Sequence, residues 1–111
     1  MNIQKFKEIL IERERIAKET RDEWDYGIEK CQQELVDVLS EDIISTVKFL
    51  NTECTAEQFV WISEIFDEIV EETQCREFID VLYEVAKKYP KETEEYNIMY
   101  FIETSKDFLK D

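Results

Sequence analysis

Thr55-Ala-Glu-Gln-Phe-Val-Trp-Ile-Ser-Glu-Ile-Phe-Asp-Glu-Ile-Val-Glu-Glu72 is the most regular stretch of this chain. Thr55 followed by Gln58 is a capping-box pair, in which hydroxyl and carboxamide each satisfy an amide left free at a helix start. A helix from Ala56 to Glu72 turns about 100° per residue, so its faces follow from counting. With Glu57 as the origin, Phe59, Ile62, Phe66, Ile69 and Val70 fall between roughly 120° and 220°, on one apolar face. Glu57, Glu64, Glu68, Glu71 and Glu72 fall between about 320° and 60°, on the opposite side, and Trp61 stands among them at about 40°. An apolar stripe backed by carboxylates is the mark of a surface helix in an all-α protein.

The flanking sequence reads the same way. Ser40, followed by Glu41 and Asp42, is an N-cap with acids in the first turn, opening a short helix through Ile43, Ile44, Val47 and Leu50 to about Asn51. Upstream, Thr20-Arg-Asp-Glu23 fits a second capping box, predicting a helix to Leu39 with Ile28, Cys31, Leu35 and Leu39 on one face. Gly27 costs about 1 kcal/mol inside a helix, which favours a start near Tyr26 with Trp24 in the connection. From Asn2 to Glu19, the residues Ile3, Phe6, Ile9, Leu10, Arg13 and Ala17 recur at helical spacing. Downstream, a helix from Cys75 to Tyr89 buries Phe78, Ile79, Leu82, Val85 and Ala86 and ends at Pro90, which cannot continue it. A last helix, Glu92 to Lys110, stacks Ile98, Phe101, Ile102, Ser105, Phe108 and Leu109, with Tyr96 and Tyr100 to one side. The expectation is a compact all-α bundle of five to six helices forming one domain over residues 1–111. Stacked helical hairpins are compatible with it, since Gln58-Phe59-Val60 and Glu77-Phe78-Ile79 match loosely.

Composition narrows the chemistry. The chain holds 1 Gly and 1 Pro, where average usage would put about thirteen in this length. Turn-rich sandwiches, barrels and dinucleotide folds are therefore disfavoured. With no His, there is no imidazole base, no Ser-His or Cys-His nucleophile pair and no His-ligated zinc. A single glycine builds neither a phosphate-binding loop nor a calcium loop. Cys31, Cys54 and Cys75 form no C-x-x-C pair and read as small buried residues. Nor does any apolar run approach the roughly 20 residues of a membrane span. Met1 to Thr20 alternates charge with apolar residues, unlike a signal peptide. The expectation is a cytoplasmic protein without cofactor or catalytic activity.

The charge balance points to a partner. Fourteen Lys and Arg face 28 Asp and Glu, a net charge of −14. Residues 1–21 carry six cations against four acids, so the surplus lies in residues 22–111, with eight cations against twenty-four acids. Solubility needs a charge magnitude of only about 2–8. Nucleic acid and anionic membranes would repel such a chain, whereas a basic macromolecule would be drawn to it. Trp61 among its carboxylates is either covered by a second helix or an exposed anchor of the kind that dominates interfaces. On the second reading, Trp61→Ala weakens binding by about 2 kcal/mol and leaves thermal stability nearly unchanged. Glu64/Glu68 and Glu68/Glu72 have metal-ligand spacing but lack the histidines of a di-iron site. Tyr83, Tyr96 and Tyr100 either line a recognition surface or cap the core with their hydroxyls in water.

Cys54-Thr-Ala-Glu-Gln-Phe-Val-Trp-Ile-Ser-Glu-Ile-Phe-Asp-Glu-Ile-Val70 and Glu77-Phe-Ile-Asp-Val-Leu-Tyr-Glu-Val-Ala-Lys-Lys-Tyr-Pro90, continuing through Glu92 to Ile98, carry a family resemblance. Over roughly Glu41 to Leu109, the chain resembles the helical immunity proteins of contact-dependent growth inhibition and related bacterial polymorphic toxin systems. The resemblance implies a cytoplasmic antitoxin that binds one cognate toxin domain, often a nuclease, and blocks its active site or substrate access. On that reading, Trp61 is the anchor and Glu57, Glu64, Glu68, Glu71 and Glu72 are the toxin-binding charges. The alternative is an acidic helical-repeat adaptor or regulatory subunit of a bacterial complex. Monomer and homodimer both remain open, as does the role of the basic first helix.

Overall fold

The Thr55 capping box forms as read. Thr55 Oγ1 accepts from the Gln58 amide at 3.1 Å, and Gln58 Oε1 accepts from the Thr55 amide at 3.0 Å. The computed structural model describes residues 1–21 and 23–110. Among the described residues there are eight α-helices, a closing 3-10 turn and no strand. In chain order they are α1 (Ile3–Thr20), α2 (Asp25–Ser40), α3 (Ile43–Thr52), α4 (Ala56–Ser63), α5 (Phe66–Thr73), α6 (Arg76–Lys88), α7 (Pro90–Glu95) and α8 (Ile98–Ser105), followed by the turn Lys106–Phe108. The all-α expectation holds; the count of five to six does not, because two expected helices are each broken in two.

The first break falls at Glu64–Ile65, where the backbone bonds tighten to i−3 partners: Glu64 N to Trp61 O at 3.3 Å and Ile65 N to Ile62 O at 2.9 Å. In an unbroken helix Ile65 would stand at about 80°, off the apolar face. The bend turns it inward to 1% exposure, into the same buried cluster as Ile62, Phe66 and Ile69. The gain is one more fully buried Ile, on the order of 2 kcal/mol. The second break falls at Asn97, which takes a left-handed φ of 53°, a conformation that Asn tolerates better than most side chains. Pro90 does end α6, as expected, but it also opens α7 at the first helical position, where its missing N–H leaves nothing unsatisfied.

Two predicted caps are corrected. Thr20 closes α1 rather than opening α2, and its hydroxyl donates back to the Ile16 carbonyl at 2.6 Å. Asp22, inside that motif, lies outside the described residues. Ser40 is the last residue of α2, with its Oγ buried and unpartnered. Asp42 caps α3 instead, its carboxylate accepting from the Ser45 amide at 3.3 Å.

One cluster of buried side chains draws on α1 to α6 and α8. Phe59, Phe66 and Phe78 tie α4, α5 and α6 together, with ring centroids 5.7 and 6.3 Å apart along the series. Helix α1 packs along α2, α3 lies on α6, and α8 closes against α5 and α6. The expected core faces of α4, α5 and α6 are buried; Phe101, Phe108 and Ile44, expected inside, are on the surface. Phe108 is turned out because α8 ends at Ser105 and the chain tightens into the 3-10 turn. All three cysteines are free and buried, as expected, and burial pushes the Cys54 thiol up to about 12. Helix α7 contributes no buried residue; it rests on α4, α6 and α8 and forms one wall of a surface groove against α4.

Candidate partner-binding groove

Trp61 lies in the second turn of α4, half-buried against the core. It does not stand alone among acids. Arg13 of α1, 4% exposed, places its guanidinium carbon 4.8 Å from the centroid of the Trp61 ring. The same guanidinium forks onto Glu64, with Nε to Oε1 at 3.3 Å and Nη2 to Oε2 at 3.0 Å. The stack is a cation–π contact, and the fork is a charge-assisted bidentate pair. The basic first helix therefore reaches the acidic face through Arg13, and Glu64 is occupied within the protein. Because the ring packs on the core edge and carries the Arg13 stack, Trp61→Ala is expected to cost stability rather than spare it.

Glu57 and Trp61 share a groove between α4 and α7 with Glu92, Glu95, Tyr96 and Lys91. Its volume is about 450 Å³, and Ala56 and Val60 complete its α4 wall. Three carboxylates outnumber one ammonium, so the groove is negative, and two aromatic rings give it apolar surface. Glu57 also borders a second depression of about 280 Å³, lined by Leu10, Ile11 and Glu14 of α1. Glu14 faces Glu57 and the Trp61 indole; partial burial and the neighbouring Glu57 carboxylate raise its pKa, while Trp61 and Lys18 pull the other way.

The remaining acids do not join this groove. Glu68 lies on a separate depression against α2, beside Glu29, Gln32 and Gln33. Glu71 and Glu72 are exposed on α5, beyond the Glu64–Ile65 break that ends the α4 helical phase. Of the six residues proposed from the sequence, two therefore meet in the groove, one is engaged by Arg13, and three stand elsewhere. Glu92 and Glu95 were missed. The available signal was Pro90 as a helix opener, which puts Glu92, Glu95 and Tyr96 at i, i+3 and i+4.

The tyrosines divide. Tyr83 is engaged structurally: its hydroxyl donates to Glu103 Oε1 at 2.7 Å and accepts from Lys106 Nζ at 2.9 Å. Tyr96 and Tyr100 are exposed, and Tyr100 meets Phe101 edge-on at 5.6 Å. Among the described residues no three Asp, Glu or Cys converge in a metal-binding group, and no helix is long and apolar enough to cross a membrane. Carboxylates beside exposed aromatic faces are suited to holding cationic side chains. Comparison with known protein families, with curated proteins and with solved structures gave no match.

Proposed function

We propose that this chain is a non-catalytic immunity protein, a cytoplasmic antitoxin that binds a cognate basic toxin domain and covers its active site or substrate surface. A nuclease is the favoured target, because a surface that binds nucleic-acid phosphates is itself cationic. The observation that carries this reading is the negative, aromatic-walled groove formed by Glu57, Trp61, Glu92, Glu95 and Tyr96 on a chain of net charge −14. A charge surplus of that size opposes compaction through self-repulsion, and a positively charged partner gives it a use: opposite fields accelerate encounter and favour one docking orientation.

The test is co-expression with the C-terminal domain encoded by the gene immediately upstream, with growth as the readout, followed by titration of the purified pair. Growth should be restored, and the complex should weaken steeply as salt is raised. Tyr96→Ala combined with Glu95→Gln should weaken it by about 2 kcal/mol or more. Neither side chain is buried, so the variant should melt like the parent. Failure of rescue together with failure of the two chains to associate would remove the proposal.

A further inference from the structure

We infer that the α4–α7 groove is an arginine receptor: it takes a guanidinium from the basic partner, and takes it in preference to a lysine ammonium. This rests on the reading of the groove as the partner-binding site and specifies the chemistry of the group that enters it.

The protein already makes one such pairing internally. Arg13 satisfies its guanidinium by lying 4.8 Å over the Trp61 ring while forking onto the Glu64 carboxylate. Those two contacts, an aromatic face and a carboxylate within reach of the same planar group, are what an arginine uses and a lysine uses less well. A guanidinium is planar, weakly hydrated and carries a fork of donors, whereas an ammonium is a compact and strongly hydrated point charge. Arg13 is not among the residues that line the groove, yet the groove repeats both components: the rest of Trp61 and the ring of Tyr96 supply aromatic surface, and Glu57, Glu92 and Glu95 supply carboxylates.

Three further observations fit a guanidinium. Tyr96 is 50% exposed, so its ring is available to an incoming group. Glu95 is exposed and so open to an incoming cation, while Glu92 is partly buried, where a carboxylate acts on a cation through less water. Lys91, on the rim, belongs to the same short helix as Glu92 and Glu95 and sets a limit on the field. An ammonium entering the groove gains charge attraction alone, whereas a guanidinium also gains stacking on the aromatic walls. Charge complementarity between the groove and a basic protein selects the partner class, and the aromatic walls select the side chain.

The experiment uses the full-length protein and two probes of equal charge, a tetra-arginine amide and a tetra-lysine amide, titrated at moderate salt and followed by amide and indole chemical shifts. The arginine peptide should bind roughly threefold to tenfold tighter. Its shifts should centre on Glu57, the Trp61 indole, Glu95 and Tyr96. Tyr96→Ala should collapse the preference towards equality, while Glu92→Gln with Glu95→Gln should weaken both peptides. Equal affinities for the two peptides, or shifts centred on Glu68, Glu71 and Glu72, would overturn the inference. Rescue of toxin-expressing cells with no arginine preference removes this inference and leaves the immunity reading intact. An arginine preference without rescue does the reverse.

Discussion

Gly27 is the chain's only glycine, and its backbone is ordinary helix, so left-handed freedom is not what requires it. Trp24, the residue that caps α2, lays its ring over Gly27, and a Cβ built there would meet the ring at 2.3 Å. The helix accepts a residue worth about 1 kcal/mol less than Ala because the indole occupies the vacated space. Gly27→Ala should therefore be neutral or destabilising in the native chain, yet stabilise by about 1 kcal/mol in a Trp24→Ala background. Chemical denaturation of the four proteins tests this, and an equal effect in both backgrounds would refute the steric account. Glu14 adds a pH dependence. Burial and the Glu57 carboxylate raise its folded-state pKa above 4.5, so ionised Glu14 costs stability at neutral pH. The cost is fully present above the folded pKa and disappears as pH falls through that value towards 4.5. Glu14→Gln should raise the melting temperature at neutral pH, with the gain fading in mild acid. A gain that persisted in acid would mean that the Glu14 charge was not its source.

At the scale of elements, the two breaks and the α1–α4 contact set where the acids go. Arg13 is read from sequence as one more residue on the apolar stripe of α1, and it is indeed buried. Spacing alone could not show that its partners are Trp61 and Glu64, some fifty positions away. Removing one member of a buried ion pair leaves the other without its partner and costs several kcal/mol; Glu64 is 32% exposed, which lowers the figure. Arg13→Ala should cost about 2–3 kcal/mol, and Arg13→Lys should recover less than half, because a lysine neither forks nor stacks flat. Urea denaturation measures both, and full recovery by lysine would show that charge alone mattered. Capping illustrates the limit of local reading. Thr20 and Thr55 sit in the same four-residue pattern, yet only Thr55 caps. Thr20 already ends a helix, so the Ile16 carbonyl is within reach of its hydroxyl.

For the whole molecule, a net charge of −14 packed into a body with a radius of gyration of 13.3 Å is a field that salt must screen. Raising the ionic strength from low to physiological should raise the melting temperature of the free protein, since screening relieves self-repulsion. The same change should weaken association with a basic partner. The two responses have opposite signs, and calorimetry with binding titrations reads both. A melting temperature indifferent to salt would show that the charge surplus is not a stability cost and needs no basic partner to offset it.

The all-α class, most of the core faces, the Thr55 cap, the burial of the cysteines and the acidic character were legible in the residues themselves. Each depends on neighbours within about four positions or on bulk composition, and such interactions are encoded by order along the chain. The tertiary structure decided the break at Ile65, the burial of Arg13 beneath Trp61 and the meeting of Glu57 with Glu92 and Glu95. Those outcomes were settled by which apolar surfaces could be buried together, a competition among segments far apart in sequence. A helical wheel follows one helix at a time, whereas the groove exists only because α7 lies against α4.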